Sequence, residues 1–189
     1  MRAAFLVPRA TPPYLCAMRT MTLLLLCLAL PAFAQTRPAH ASAQGTPKAI
    51  GKFDDWTAAT HQEAGQTVCY AFSRATSSSP ALPGRGDVVL TVTQRPGGSR
   101  DAVALSAGFA YAAGASVTLQ VEQTSLPFYT AQRSAFARDG RSAIAALERG
   151  RQAVAKSPRP RNTQVTDIFS LRGFSPAYAA INKACPVKS

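Results

Sequence analysis

Two histidines, four cysteines and nine acidic side chains are what this 189-residue chain offers to nucleophilic, acid–base or metal chemistry. His40 and His61 each stand without a cysteine or carboxylate at ligand spacing, so no metal site is expected. A nucleophilic thiol needs a base beside it. Cys69 with His61 is a conceivable pair, but a disulfide accounts for Cys69 with fewer assumptions. Asp54 and Asp55 are the one adjacent acid pair, and neighbours on a strand point to opposite faces, which defeats a shared catalytic role. No Gly-x-Ser-x-Gly elbow, phosphate-cradling glycine loop or helical metalloprotease motif occurs. The expectation is therefore no catalytic residue, no metal and no cofactor, with an enzyme the weaker reading.

Positive charge is the stronger chemical signal. Twenty-one Lys and Arg against nine Asp and Glu give a net charge of +12. The bias is greatest between Arg138 and Arg161, where Arg138, Arg141, Arg149, Arg151, Lys156, Arg159 and Arg161 face only Asp139 and Glu148. A field of this sign gathers polyanions at a range that salt shortens. Arg149, Arg151, Lys156, Arg159 and Arg161 are the candidate anion contacts, since a guanidinium fork suits phosphate and carboxylate. In the run Ser157-Pro158-Arg159-Pro160-Arg161-Asn162, two prolines stiffen a turn and should project Arg159 and Arg161 outward. The alternative is a solvated hairpin end whose prolines deter edge pairing.

Which polyanions count depends on where the chain works. Residues 18–34, MRTMTLLLLCLALPAFA, carry a basic start, a short apolar run and Ala32-Phe33-Ala34, the pattern of a cleaved signal peptide. The apolar run is about half of the roughly 20 residues a spanning helix needs. Met18 or Met21 is a better start for such a signal than Met1. Cys27 follows Leu24-Leu25-Leu26, with no small residue just before it, which does not suit lipidation. Export leaves Cys69 and Cys185 as an even pair in an oxidising compartment, either joined or as two buried free thiols. The anions at hand would be lipid phosphates, lipopolysaccharide, wall polymers or host glycans, and nucleic acid is not an expected partner.

The elements that must position these residues read as short strands. Residues 1–34 form the signal region and 35–49, polar and proline-bearing, a flexible leader. Residues 50–189 form one domain, large enough for an ordinary core. Val117, Leu119 and Val121 alternate with Thr118, Gln120 and Glu122, and Val88, Leu90 and Val92 alternate with Val89, Thr91 and Thr93. Further strands are expected at 53–60, 67–73, 102–107, 126–130, 151–156 and 165–171. Residues 77–86, rich in serine, proline and glycine, read as a long mobile connection. Asp139 should cap a helix that Gly150 ends in a left-handed turn, and Ser175 should cap a second that Pro176 opens. Trp56, Tyr70, Phe72, Phe128 and Tyr129 are expected in the core or half-buried. The fold class is mainly β, an antiparallel sandwich or barrel-like domain with two short helices.

Four segments, FDDW (53–56), CYAF (69–72), RGDVVLTVTQRPG (85–97) and TDIFSLRGFSPAYAAINKAC (166–185), give the chain a resemblance to the invasion-associated locus B family of exported bacterial proteins. Their order covers roughly residues 50–186. The resemblance implies a β-sandwich-like domain in the periplasm or on the outer surface. Some members are associated with entry into host cells, and no catalytic mechanism is established. Relatives often have glycine where this chain has Asp54, which puts a tight turn there in question. Many carry another cysteine soon after the tryptophan, where this chain has Thr57, Ala58 and Ala59, so a single Cys69–Cys185 bridge is the simplest outcome. The expected function is a non-catalytic envelope or surface protein that binds an anionic envelope or host-surface component, or another protein. The alternatives are a structural or chaperone-like periplasmic role in envelope maintenance and, third, an enzyme whose site is assembled from distant residues. No membrane anchor is expected after cleavage, and sequence leaves the oligomeric state open.

Overall fold

The computed structural model describes residues 45–159 and 163–187. The expected signal peptide, most of the leader with His40, and Pro160, Arg161 and Asn162 at the hairpin tip lie outside the described residues. Among the described residues, eleven strands form one antiparallel sheet: β1 (Lys48–Phe53), β2 (Trp56–Glu63), β3 (Gln66–Arg74), β4 (Ser77–Ser79), β5 (Val89–Gln94), β6 (Ala102–Ser106), β7 (Ser116–Val121), β8 (Thr124–Ala131), β9 (Ser134–Ala137), β10 (Gln152–Arg159) and β11 (Thr163–Ser170). Two helices, α1 (Gly140–Arg149) and α2 (Phe174–Ala184), stand beside it among the described residues. The strand order is β1-β2-β3-β5-β6-β9-β8-β7-β10-β11-β4, and the sheet does not close into a barrel. The expected mainly β class with two helices is borne out.

Two-residue connections close four of its hairpins tightly. Asp54-Asp55, Ala64-Gly65, Glu122-Gln123 and Gln132-Arg133 each join two strands, and the first residue of each pair has φ near +50°. Two-residue turns of that hand match the right-handed twist of the strands they connect. Asp54 (φ 48°) keeps the turn without glycine, because aspartate tolerates the left-handed region better than most side chains. The acid pair thus sits in a turn and not on a strand. Alternation then selects the buried face: Leu90 and Val92, Val103 and Leu105, Val117, Leu119 and Val121 all point into the core.

The helices close the core. Asp139 caps α1, its carboxylate accepting from the Ser142 backbone N–H (3.1 Å) and hydroxyl (2.6 Å), bonds that hold its pKa below the usual range. Ala143, Ile144, Ala146 and Leu147 form the buried stripe of α1. Phe174, Ala177 and Ile181 do the same for α2, whose main contacts are β1, β2 and β3. Trp56, fully buried, meets the Phe174 ring edge-on at 4.9 Å, and its indole N–H donates to the Ser170 carbonyl at 3.0 Å. A disulfide joins Cys69 on β3 to Cys185 at the end of α2, with Cα atoms 5.9 Å apart.

Several boundaries differ from expectation. Strand β1 begins at Lys48, inside the stretch read as leader, because β2 offers an edge to pair with. Ser77–Ser79, read as part of a mobile connection, is strand β4 paired with β11, held by the Ser78 hydroxyl on Asp167 (2.7 Å). β9 went unread because only Phe136 gives it strand character. Gly150 ends α1 with an extended backbone (φ −84°, ψ 161°), not a left-handed one. It must be small because a Cβ there would strike the Val121 side chain and crowd Leu171. Gly173, not Ser175, precedes α2, in the left-handed region (φ 84°) and against the Phe53 carbonyl, where no side chain fits.

Candidate functional site

The candidate anion contacts separate along and across β10. Arg149 ends α1 and Arg151 precedes β10, both exposed, with Glu122 accepting from the Arg151 backbone N–H at 3.1 Å. Lys156 is exposed on the outward face of the strand. Arg159, eight residues and roughly 26 Å beyond Arg151 at strand rise, shares the inward face with Ala153, Ala155 and Ser157. It does not project outward as expected; its guanidinium lies over the Phe109 ring at 5.7 Å. Arg161 is outside the described residues. The structure therefore groups Arg149 with Arg151 and leaves Lys156 and Arg159 on opposite faces.

Arg159 instead borders a buried polar cluster. Asp167, with no exposed surface, receives both Arg85 guanidinium nitrogens at 2.7 Å and the Ser78 hydroxyl. The Arg85 Nε donates to the Ala107 carbonyl at 2.6 Å, and its guanidinium lies 5.2 Å from the Phe109 ring centroid. Buried Ser157 meets the Tyr111 hydroxyl at 3.2 Å. Burial raises the pKa of Tyr111, partly opposed by its bond to Ser157. Every strong donor and acceptor in this cluster has a partner, so its chemistry is positioning: it pins the 80–88 connection and the 107–115 loop onto β11.

Ion pairing consumes acid faster than base. Asp54–Arg172, Glu63–Arg95, Asp87–Arg74 and Asp167–Arg85 are the Arg–carboxylate pairs among the described residues. Arg138, Arg141, Arg149, Arg151 and Lys156 are exposed and belong to none of them. His61 lies on the outward face, 5.3 Å from the Tyr70 ring and 4.0 Å from Glu63 Oε2. Among the described residues no three His, Cys, Asp or Glu are placed to hold a metal ion.

The outward face of the sheet carries residues that sequence reading assigned elsewhere. Strand register places Phe72, Thr91, Ala104, Phe136 and Tyr129 in one row across β3, β5, β6, β9 and β8. Tyr129 was expected in the core or half-buried; it is 45% exposed, because Leu126 and Phe128 take the inward positions of β8. Tyr129 stacks on Phe136 at 5.6 Å, with the Arg138 guanidinium 5.9 Å over the tyrosine. Phe72 and Tyr70 stack at 6.0 Å on the far side, with Arg74 over Phe72. Two grooves lie between and beside these aromatics. One of about 550 Å³ includes Ala102, Tyr129, Phe136 and Arg141, and one of about 610 Å³ includes His61, Tyr70, Thr91, Thr93 and Arg95. They adjoin, since Thr93 and Ala102 are cross-strand neighbours. Strict alternation about Phe128 would have put Tyr129 outside; the register across five strands was not legible.

The model of the family described as invasion associated locus B (IalB) protein matches residues 56–182. No curated protein and no solved structure matches.

Proposed function

The chain belongs to the invasion associated locus B family, and from that premise we propose that it is a non-catalytic protein that binds an anionic envelope or host-surface partner. Membership supports a virulence-associated envelope protein, and proteins of the family are exported. The Cys69–Cys185 disulfide fits an oxidising compartment. No helix among the described residues is long and apolar enough to cross a membrane.

The observation that carries the binding reading is the pairing imbalance: five exposed basic side chains from Arg138 to Lys156 belong to no ion pair among the described residues. Such charges raise association rates with a polyanion and lose effect as salt rises. The test is retention of the protein on lipopolysaccharide, anionic vesicles and a sulfated glycan across a salt series. At least one should bind, with affinity falling about tenfold or more between 50 and 300 mM salt. Binding that ignores salt, or no binding to any of the three, overturns the reading.

A further inference from the structure

We propose that the outward face of strands β3, β5, β6, β9 and β8 is a docking trough for an acidic polysaccharide chain. The inference rests on the anionic-partner reading above and names both the ligand class and the surface. Two aromatic ridges flank the trough, Tyr70 with Phe72 on one side and Phe136 with Tyr129 on the other. They stand three strands apart, roughly 14 Å at ordinary strand spacing. Between them the floor carries Val89, Thr91 and Thr93 of β5 and Ala102, Ala104 and Ser106 of β6, all partly exposed.

This combination matches the surface of a sugar chain. The C–H face of a pyranose ring is apolar and flat, and it stacks on an aromatic ring as another ring does. The hydroxyls at the ring edge meet threonine hydroxyls on the floor. A sulfate or carboxylate on the ring accepts paired N–H bonds from a guanidinium fork. Arg138 and Arg141 stand at the Tyr129 ridge, exposed and in no ion pair among the described residues. Two acids, Asp139 and Asp101, line the same groove and keep their charge, since their hydrogen bonds come from the neutral donors Ser142, Tyr178 and Gln94; Arg100, Arg138 and Arg141 outnumber them there.

The test is calorimetric titration of the full protein with a sulfated hexasaccharide, its desulfated counterpart and phosphatidylglycerol vesicles. The sulfated chain should bind saturably and the desulfated one about tenfold more weakly. Tyr129→Ala, at an exposed position, should keep the melting temperature and weaken binding by about tenfold. Arg138→Gln combined with Arg141→Gln should do the same, and should cost more affinity than Arg149→Gln combined with Arg151→Gln, which lie outside the trough and remove only long-range attraction. Wild-type affinity in Tyr129→Ala, equal binding of the desulfated chain, or binding to vesicles and not to the hexasaccharide each overturns the trough. If binding disappears only in the Arg149–Arg151 variant, the trough is wrong and the wider anionic reading stands. If no anionic probe binds, both fall.

Discussion

The α2 end of the domain and the Arg85–Asp167 cluster solve one problem with opposite chemistry. Each must fasten a segment that follows or interrupts the strands. At the α2 end the fastening is apolar and covalent: Trp56 against Phe174, Ile181 in the core, and the bond from Cys69 to Cys185. A polar margin supports it, with Arg100 donating to the Cys185 carbonyl (2.6 Å) and to Asn182 (2.7 Å). At the other cluster the fastening is ionic, a buried bidentate pair with hydroxyl partners. The covalent link constrains the unfolded chain, whereas the ion pair matters most once one partner is missing. The first is robust to side-chain loss around it; the second is not.

Breaking each fastening sharpens this contrast. Cys69→Ala with Cys185→Ala opens a link across 116 residues, and the chain-entropy account puts the loss at about 4–5 kcal/mol. Chemical denaturation should show it, and reduction of the wild type should match it. Asp167→Ala leaves Arg85 buried without its counter-charge, at a cost of about 3–5 kcal/mol. Asp167→Leu with Arg85→Met should recover most of that stability in the same experiment. No recovery would mean that the cluster acts through its hydroxyls and loop contacts instead of charge.

The smallest expected effect compares one tyrosine from each end. Burial raises the pKa of Tyr178, and its donated bond to Asp101 raises it further; burial also raises that of Tyr111. Both therefore keep their protons in the folded state at a pH where the unfolded chain releases them. Their contribution is complete below pH 10.0, the ordinary tyrosine value, and is lost as pH rises through the folded value. Melting curves between about pH 9 and 11 should fall less steeply for Tyr178→Phe and Tyr111→Phe than for the wild type. Parallel curves for all three proteins would remove tyrosine ionisation from the account.

Sequence made the apolar strands legible and the polar positions much less so. Val117, Leu119 and Val121 announce a buried face through alternation alone. Ser77–Ser79 has no such signal, since three serines become a strand only because β11 and Asp167 are there to receive them. Arg159 read as a projecting tip because prolines flank it, yet strand parity turns it onto Phe109. The basic surplus was visible as composition. Its division between the α1 end, the outer face and the interior depended on register between strands distant in sequence, which no local pattern encodes.

The Ala75 N–H donates to Val88, leading into β5, and the next N–H, of Thr76, donates to Ile168 on β11. Two successive amides thus tether neighbours that stand six places apart in the strand order. Fraying at the short final strand pulls on both flanks at once, so a three-residue edge becomes a stitch shared by two halves. Amide exchange at Ser78 should then report whole-domain opening more than local breathing.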